Sequence, residues 1–478
     1  MSETYRIIAL VIFFSYLLFC WWVGARKKFS TENTKDYFLA GKNIGPLFLF
    51  FTCFASISGA GNFIGLAGRG ADIGLSAYWW WLGEIALGYV LFGLVLAPYL
   101  ARFDYITMPQ YISDYLAGGD TVVRRVAGIA SLLPNVAWAG GQMMGLAYLL
   151  QVLLGLDYRI AILLTSVVMI YYTVQGGLAA VIYTDFVQGI AQLALVIGVL
   201  IFGLRVMNFD FGWLKSSVMA QDTQLWNPLG IGTKSAISHV LIGFCGALSN
   251  SVLWSRSFAA KDVNTAKKAF GISMTASAVF TFFVVAFGIT ANVFNPGVGD
   301  QATMWLVINK MPGFMALLMT LGITGATMST ADTHLNCGAA NIMVDILDPE
   351  GKLPDEKAVK YSKISTIVVG IIAIAGALYF PTVMDYAEVG YTISGGVLIP
   401  IFLIGLYCRD RESEQLKSKL SISAVKFGII VGIIFTVAFE LVPSLNSILS
   451  GGIIPGLITT TIATLLANSI VRSKETAQ

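Results

Sequence analysis

The chain has 478 residues, of which 56% are apolar and only 12% are charged. Soluble domains carry roughly 25% charged residues, so this composition excludes a water-soluble globular protein and indicates an integral membrane protein in a lipid bilayer. The formal net charge of +3 gives no indication of nucleic-acid binding, since its distribution follows the joints between apolar segments.

Apolar runs of about 20 residues, the length that crosses a hydrocarbon core about 30 Å thick, recur along the whole chain. They predict an all-α membrane protein with about thirteen transmembrane spans. The first run is not a cleavable signal, because its positive flank follows the apolar stretch and no A-x-A-like site ends it. The predicted spans are 5–24, 44–68, 75–100, 126–153, 159–176, 184–206, 235–254, 270–294, 313–345, 361–380, 385–408, 424–442 and 452–471.

The basic residues predict the orientation. With the N-terminus outside, 23 of the 30 Lys and Arg residues fall in cytoplasmic joints and the C-terminal tail. Because these residues accumulate on the cytoplasmic side, the pattern predicts an N-out, C-in, multi-pass protein of the plasma (inner) membrane with an odd number of spans. The five Cys residues lack metal-ligand spacing and are interpreted as small apolar fillers.

The second predicted span is crowded with glycine at its middle, at Gly59, Gly61, Gly65 and Gly68. Glycine at this density predicts that the helix unwinds. Unwound backbone at mid-bilayer must line a protein-enclosed cavity, because lipid cannot satisfy the freed carbonyls and amides. Close packing of helices against small residues is the alternative interpretation.

The seventh predicted span repeats this pattern. GAGN at 59–62 and GALSN at 246–250 occupy matching places five spans apart. Because five is odd, a tandem copy of five spans inserts upside down, so spans 2–6 and 7–11 are predicted to be inverted repeats with a transport site near the midplane. The predicted divisions are a leading span and cytoplasmic joint (1–43), the first repeat (44–206), an external loop (207–233), the second repeat (234–408) and two additional spans (409–478).

The ninth predicted span places hydroxyls and one acid in an otherwise apolar helix, GATMSTADTHLNCGAANIM at 325–343. Ser329 and Thr330 follow Ala326 by three and four residues, so both hydroxyls and the Ala326 carbonyl can converge on one small volume. Neutral oxygens suit Na⁺, whereas Mg²⁺ or Ca²⁺ normally requires several carboxylates. The alternative is that the hydroxyls only bond back to carbonyls of their own helix.

Two acids in or near the spans, Asp332 and Asp185, are considered as candidates for the same site. Asp332 lies well inside the ninth span, and an acid within a membrane is a functional candidate by default. Asp185, at the start of the sixth span, either serves the same site or is hydrated at the cytoplasmic mouth. His334 points away from Asp332 on a helix and is interpreted as a structural hydrogen-bonding residue.

Five motifs in this order and spacing resemble the sodium:solute symporter family along nearly the whole chain. They are FIGLAG (63–68), RFDYITMPQY (102–111), YTDFVQ (183–188), RSFAAKD (256–262) and MSTADT (328–333). The resemblance implies a five-plus-five inverted-repeat (LeuT-like) core with additional helices and a Na⁺ ion as the co-transported ion. It also implies a sodium site whose ligands here would be the backbone oxygens of Ala55, Ser58 and Ala326 and the hydroxyls of Ser329 and Thr330.

Some members of the family hold a second cation closer to the cytoplasm, so the resemblance also implies a candidate position for one here. The corresponding positions here are Asp185, Ser329, Asp332 and Thr333, with Asp332 in place of a hydroxyl. Two carboxylates at such a site would bind a cation more strongly or would share a proton. The number and identity of the coupling ions are therefore left open.

A solute in this fold should lie beside the broken helices. Trp81 and Glu84 lie three residues apart on one predicted helix face and could cradle an ammonium group, although the run 78–81 also fits an interfacial aromatic belt. The middle of the spans carries no Arg or Lys, so backbone amides, Asn, Gln or helix N-termini must meet a solute carboxylate. The predicted solute contacts are Asn62, Trp81, Glu84, Trp138, Gln142, Ser249, Asn250 and Tyr391.

The predicted function is sodium-coupled import of a small organic solute by alternating access, with an amino acid or related amine-bearing solute favoured. A sodium-coupled sugar or monocarboxylate symporter, a proton-coupled carrier using Asp185 and Asp332, and a transporter-like sensor are the alternatives. Asn62 and Gly61 stand where a sodium/sugar member has a Gln and an acid, which disfavours a sugar. An enzyme is not expected, because the sequence offers no nucleophile–base constellation, metal cluster or phosphate loop, and neither is an obligate protein partner.

Overall fold

The computed structural model describes residues 3–24, 34–39, 44–408, 418 and 420–476. Within these residues the regular structure is helical, and a parallel bridge joins Ile44 and Ala260. The first half contains α1 (Glu3–Gly24), α2 (Thr34–Leu39), α3 (Pro46–Ile57), α4 (Ala67–Ile73), α5 (Tyr78–Trp81), α6 (Ala97–Leu100), α7 (Met108–Tyr111), α8 (Thr121–Leu154) and α9 (Tyr158–Val206), with π-helical segments at Gly61–Leu66, Leu82–Tyr89, Phe92–Leu96 and Ile112–Leu116 and a 3₁₀ turn at Gly74–Ala77.

The second half has the same helical character. It contains α10 (Phe211–Gln221), α11 (Thr233–Ser249), α12 (Ser251–Ala259), α13 (Val263–Phe294), α14 (Ala302–Lys310), α15 (Phe314–Ala340), α16 (Asp355–Tyr379), α17 (Val383–Tyr407), α18 (Ile422–Leu441), α19 (Pro443–Leu449) and α20 (Ile453–Thr476), with a π-helical segment at Asn341–Leu347 and 3₁₀ turns at Thr223–Trp226 and Gly299–Gln301.

Twelve helical stretches in the described part of the chain are long and apolar enough to cross a membrane. One of them, Gly61–Leu100, combines the second part of the predicted second span with the whole of the third. Pro46–Ile57, the first part of the second span, is apolar but only 12 residues long. The helices therefore fall where the apolar runs predicted them, while the count of thirteen, the N-out orientation and the division into repeats stay predictions.

The long helix α9 carries two predicted spans. The hydroxyls of Tyr172 and Thr184 lie 2.5 Å apart, whereas twelve residues of straight helix would separate them by about 18 Å. The helix is therefore not straight between these two residues.

Helix α15 lies at the centre of the described structure. It packs against α8 and α9 and also contacts α1 and α3. Every residue from Gly322 to Ala340 is buried. Because protein encloses this helix, its hydroxyls and its acid face other protein groups rather than lipid.

Both glycine-rich spans are interrupted, which confirms the predicted breaks. The first break separates α3 from the helix that resumes after Gly59, and the second separates α11 from α12 at Asn250. The amide of Lys261 donates to the Ile44 carbonyl at 3.3 Å, next to the bridge between Ile44 and Ala260. The start of α3 and the end of α12 are thereby tied together.

Candidate functional site

Tight packing shapes the first break. Ser58 leaves helical geometry at φ −89° and ψ 42°. A Cβ atom on Gly59 would lie 2.4 Å from Thr330 Oγ1 and 2.5 Å from Gln142 Oε1, so only glycine permits this approach. Gln142 Oε1 also accepts a 2.6 Å hydrogen bond from the Ala60 amide. The break therefore brings unwound backbone against α15 and α8.

Two asparagines, one in each broken helix, satisfy backbone groups at the interruptions. Asn62 Nδ2 donates to the carbonyl of Ile57, the last residue of α3, at 2.8 Å. Asn250 Oδ1 accepts from the Val252 amide at 3.0 Å and so caps the N-terminus of α12. The polar residue that follows each glycine-rich stretch thus compensates for hydrogen bonds that the break removes.

Two hydroxyls and two carbonyls converge beside the first break. Ser329 Oγ lies 3.0 Å from the Ala55 carbonyl and 3.1 Å from the Ala326 carbonyl, and Thr330 Oγ1 lies 3.2 Å and 2.9 Å from the same two oxygens. The contacts with Ala326 are ordinary back-bonding within a helix, but those with Ala55 cross from α15 to α3. Ser58, the fifth predicted ligand, is buried at the end of α3. We call these five residues the cage.

Arg256 follows the predicted span 235–254 and is one of the 23 Lys and Arg residues assigned to the cytoplasmic side, but it is fully buried in α12. Its Nη2 donates to Thr333 Oγ1 at 2.8 Å and lies 3.8 Å from Asp185 Oδ2. Its Nε donates to Thr52 Oγ1 at 3.1 Å, and the Thr52 hydroxyl in turn donates to Asp185. Asp185 and Thr333, which were predicted to belong to a second cation site, therefore lie beside a guanidinium group. A basic residue three positions before the end of a buried helix is a signal in the sequence that points to this contact.

Asp332 is held differently from Asp185. It is 1% exposed, and neither of its carboxylate oxygens has a hydrogen-bond partner among the described residues. It follows Ser329 by three residues, about 4.5 Å along the helix axis. On the side of α9, Gln192 Nε2 donates to Ser329 Oγ at 3.2 Å. The second cation site at Asp185, Asp332 and Thr333 stays a prediction.

A small cavity lies between the two breaks. Its volume is about 10 Å³, room for roughly one water molecule, so a solute enters only when the walls move apart. A Cβ atom on Gly61 would lie 2.1 Å from the Trp138 ring, which therefore packs directly on the broken helix. Both breaks, α8 and α15 contribute to its lining, which includes Ile57, Gly59, Trp138, Gln142, Asn250 and His334.

Four of the eight residues predicted to contact the solute lie at this cavity. Trp138, Gln142 and Asn250 line it directly. Tyr391 is adjacent, because its hydroxyl accepts a 2.8 Å hydrogen bond from Asn250 Nδ2 and its ring meets the Trp138 ring edge-on at a centroid distance of 5.4 Å. These side chains come from α8, α17 and the second break.

Trp81 and Glu84 do not form the expected cradle. The Trp81 indole N–H donates to a hydroxyl of α13 at 3.1 Å, whereas Glu84 accepts from Trp80 Nε1 at 2.6 Å and from the Tyr89 hydroxyl at 2.8 Å. The helix is π-helical over Leu82–Tyr89, and residues five apart face each other in that geometry. Glu84 therefore reaches the cavity through Tyr89, which lines it.

The two remaining predicted solute contacts, Ser249 and Asn62, form hydrogen bonds within the protein. Ser249 Oγ lies 2.9 Å from Ser394 Oγ, and Asn62 donates a hydrogen bond to the backbone as described above.

His334 Nδ1 lies 3.0 Å from Asn135 Oδ1. Because an amide oxygen only accepts, Nδ1 carries the proton of this bond, in line with the predicted hydrogen-bonding role.

A charged cluster at the other end of the broken helices was not predicted. Arg69 on α4 forms an ion pair with Glu388 on α17, and its Nη2 lies 3.5 Å from Asp385 Oδ1. Its Nη1 lies 2.5 Å from His239 Nε2 on α11. These partners are separated by 170 residues or more, so no local pattern indicated them. We call this cluster the outer ion pair, following the predicted orientation.

The joint between α13 and α14 packs over this end. Asp300 Oδ2 accepts from the amide of Val383, the first residue of α17, at 3.0 Å. A Cβ atom on Gly68 would lie 2.3 Å from Asp300 Oδ1, so the joint also rests directly on α4. Burial raises the pKa of Asp300 to about 6, against the lowering effect of the Val383 hydrogen bond.

The sequence is similar to known transporters along nearly its whole length. The sequence pattern of the sodium:solute symporter family matches residues 37–415. Sodium/proline symporters from two strains of Staphylococcus aureus, bovine RF122 / ET3-1 and JH9, are each 25% identical over alignments that cover 98% of this chain and 93% of the relative.

Solved structures share the fold. A Na⁺-coupled sialic acid symporter in a substrate-bound outward-open state superposes with a TM-score of 0.77 at 19% identity over 97% of both chains. A nucleobase-cation-symport-1 family transporter in a closed conformation gives a TM-score of 0.57 at 15% identity, over 94% of this chain and 96% of that one. The all-helical LeuT-like architecture is therefore shown.

Proposed function

Because the chain belongs to the sodium:solute symporter family and is a sodium-coupled transporter, we propose that it imports a small amino acid or related amine-bearing solute across the plasma (inner) membrane by alternating access. The observation that carries the proposal is the position of Thr330. Its hydroxyl belongs to the cage and also lines the cavity between the breaks. An ion at the cage and a solute in the cavity would therefore share a wall.

In this proposal Na⁺ is bound by the carbonyl oxygens of Ala55, Ser58 and Ala326 and by the hydroxyls of Ser329 and Thr330. Ion–oxygen contacts replace the present contacts between hydroxyls and carbonyls and tie α3 to α15. Since the solute needs the same arrangement of α3 and α15, Na⁺ and solute raise each other's affinity by the same factor. Each inward charge contributes about 2.3 kcal/mol per 100 mV of membrane potential to solute accumulation.

The preference for an amine rests on the wall formed by Tyr89. The Tyr89 hydroxyl donates to Glu84, so it offers the cavity an acceptor backed by a buried carboxyl group. Such a wall favours a solute group that donates hydrogen bonds. Trp138 also lines the cavity, and its indole N–H has no hydrogen-bond partner among the described residues, so it is a donor available to a solute carboxylate. The N-terminus of α12 adds a second favourable position for that carboxylate.

A proton-coupled carrier is the second candidate, because Asp332 is buried with no hydrogen-bond partner among the described residues. Asp332 and Asp185 would then carry the coupling proton. Thermal unfolding of the purified protein distinguishes the two functions. A panel of zwitterionic amino acids, amines, sugars and monocarboxylates is tested in NaCl and in KCl, at acidic, neutral and alkaline pH.

Stabilisation by Na⁺, with a further increase from an amine-bearing solute that requires Na⁺, supports the proposed function. Stabilisation by a sugar or monocarboxylate alone would retain sodium coupling and overturn the amine assignment. Stabilisation that depends on pH and is equal in NaCl and KCl would overturn the cage as the coupling site.

A further inference from the structure

A pocket with a volume of about 460 Å³ lies where the ends of α9 and α13 meet the joint between α14 and α15. We propose that it binds an anionic phospholipid of the phosphatidylglycerol type, with the phosphate at Arg205 and Lys310 and an acyl chain against Phe202. The pocket shares no lining residue with the cavity between the breaks and none with the cage. This inference therefore does not depend on the proposed function.

Two positive charges line this pocket. Arg205 and Lys310 lie there together with Asn208, whereas none of the residues that line the pocket is acidic. Both basic residues are exposed, and neither forms an ion pair with a described residue. Asp210, the nearest acid to Arg205 along the chain, accepts a 2.7 Å hydrogen bond from the Gly212 amide and so caps α10. The two cations are therefore available to an anion such as a phosphate group.

Helix geometry alone does not explain this pair. Arg205 and Lys310 each lie in the last turn of a helix, where a positive side chain is favourable, but the two helices are different and meet at one pocket. With 23 of the 30 Lys and Arg residues assigned to the cytoplasmic side, seven are left outside, and two of those seven line this pocket. Because basic residues are depleted on the outer side of a membrane protein, two at one pocket indicate an anionic ligand.

An apolar wall continues from the charged end of the pocket along α9. Phe202 lies three residues before Arg205, about 4.5 Å along the helix axis. Its ring meets the ring of Phe314 edge-on at a centroid distance of 5.6 Å, and Phe314 is 45% exposed, so this wall faces lipid. Lys310 Nζ lies 3.9 Å from the centroid of the Phe294 ring, a cation–π contact that holds the ammonium group at the pocket. A charged end and an apolar end in one site fit a phospholipid better than a small soluble anion.

The test is to titrate dioleoylphosphatidylglycerol into the purified, delipidated full-length protein in a neutral detergent and to count bound lipid by native mass spectrometry. Dioleoylphosphatidylcholine has the same acyl chains with a headgroup of no net charge, and inorganic phosphate supplies the anion without chains. One phosphatidylglycerol per chain is expected to bind with roughly tenfold higher affinity than phosphatidylcholine. Inorganic phosphate at the same concentration should not displace it.

Arg205→Gln and Lys310→Gln should each weaken phosphatidylglycerol binding roughly fivefold and leave phosphatidylcholine binding unchanged. Lys215→Gln is the matched control, because Lys215 is exposed on the same predicted side but does not line the pocket. An unchanged unfolding temperature without lipid shows that the variants fold.

Equal affinity of wild type for the two lipids, or an equal loss in Lys215→Gln and Lys310→Gln, would overturn the site and leave only non-specific lipid contact. Displacement of phosphatidylglycerol by inorganic phosphate would overturn the lipid as the ligand. Each of these results is independent of sodium coupling, since the test uses neither a Na⁺ gradient nor a transported solute.

Discussion

Thr330 Oγ1 on α15 lies 3.2 Å from the carbonyl of Ala55 on α3. This contact crosses between two helices at the point where α3 is about to unwind. Because the same hydroxyl lines the cavity, a change at Thr330 affects ion and solute together. The first two predictions test this relationship.

Thr330→Ala removes one of the two hydroxyls of the cage. Loss of one ligand is expected to weaken Na⁺ binding by roughly 10- to 100-fold, the equivalent of about 1–3 kcal/mol for an unmade polar contact in a buried site. Na⁺-dependent thermal stabilisation measures the change. The matched control is Thr327→Ala, because the Thr327 hydroxyl is also buried on α15 but contacts only carbonyls of its own helix, Ile323 at 2.8 Å and Thr324 at 3.1 Å. Equal loss in both variants would contradict the assignment.

Gly59→Ala should abolish Na⁺-dependent stabilisation. The added methyl group would lie 2.4 Å from Thr330 Oγ1 and 2.5 Å from Gln142 Oε1, so both side chains must move. Gly45→Ala, just before α3, has no atom within 4 Å of the added group and is the control. A Gly59→Ala protein that folds and retains normal Na⁺ binding would show that the break does not hold the cage.

Local spacing in the sequence predicted part of this site. Ser329, Thr330 and Ala326 lie within one helical turn, so their convergence follows from helix geometry, and glycine density predicted both breaks. The prediction that Trp81 and Glu84 share one face assumed α-helical geometry, whereas the helix is π-helical over Leu82–Tyr89.

Partners that are distant in sequence could not be predicted in this way. Arg256 meets Thr52 across 204 residues, and Arg69 meets Glu388 across 319. Such contacts depend on how whole helices pack, which a periodic pattern does not encode. A basic residue inside an apolar helix indicates that it needs a partner, but a single sequence does not show which residue that partner is.

Glu388→Gln should loosen the outer ion pair. Removing the charge leaves Arg69 with weaker partners, so opening of α4 away from α17 should become easier by an amount on the order of 1–3 kcal/mol. Hydrogen exchange of residues 67–73 measures the change as faster exchange. Asp385→Asn is the control, because Asp385 lies at 3.5 Å and its side chain is 42% exposed, so a smaller effect is expected. Unchanged exchange in Glu388→Gln would contradict the role of this pair.

Asp300 should make stability depend on pH. Its pKa is raised from 3.8 to about 6 by burial, so the folded protein binds a proton more tightly than the unfolded chain does. Stability therefore increases as pH falls from about 7 toward 4, by on the order of 1 kcal/mol at pH 5. Asp300→Asn is neutral at every pH and should lack this step. The difference in unfolding temperature between the two proteins across this range isolates Asp300, and a difference that is constant with pH would contradict the assignment.

The most direct test of sodium-coupled import is solute uptake by the protein reconstituted into liposomes. An inward Na⁺ gradient is imposed, with K⁺ replacing Na⁺ in one control and an inward proton gradient without Na⁺ in another, and the solutes that stabilise the purified protein are supplied. The account predicts accumulation of an amine-bearing solute that requires the Na⁺ gradient, increases with a negative interior and, in Thr330→Ala, needs a higher Na⁺ concentration. Accumulation driven equally well by the proton gradient without Na⁺ would contradict it.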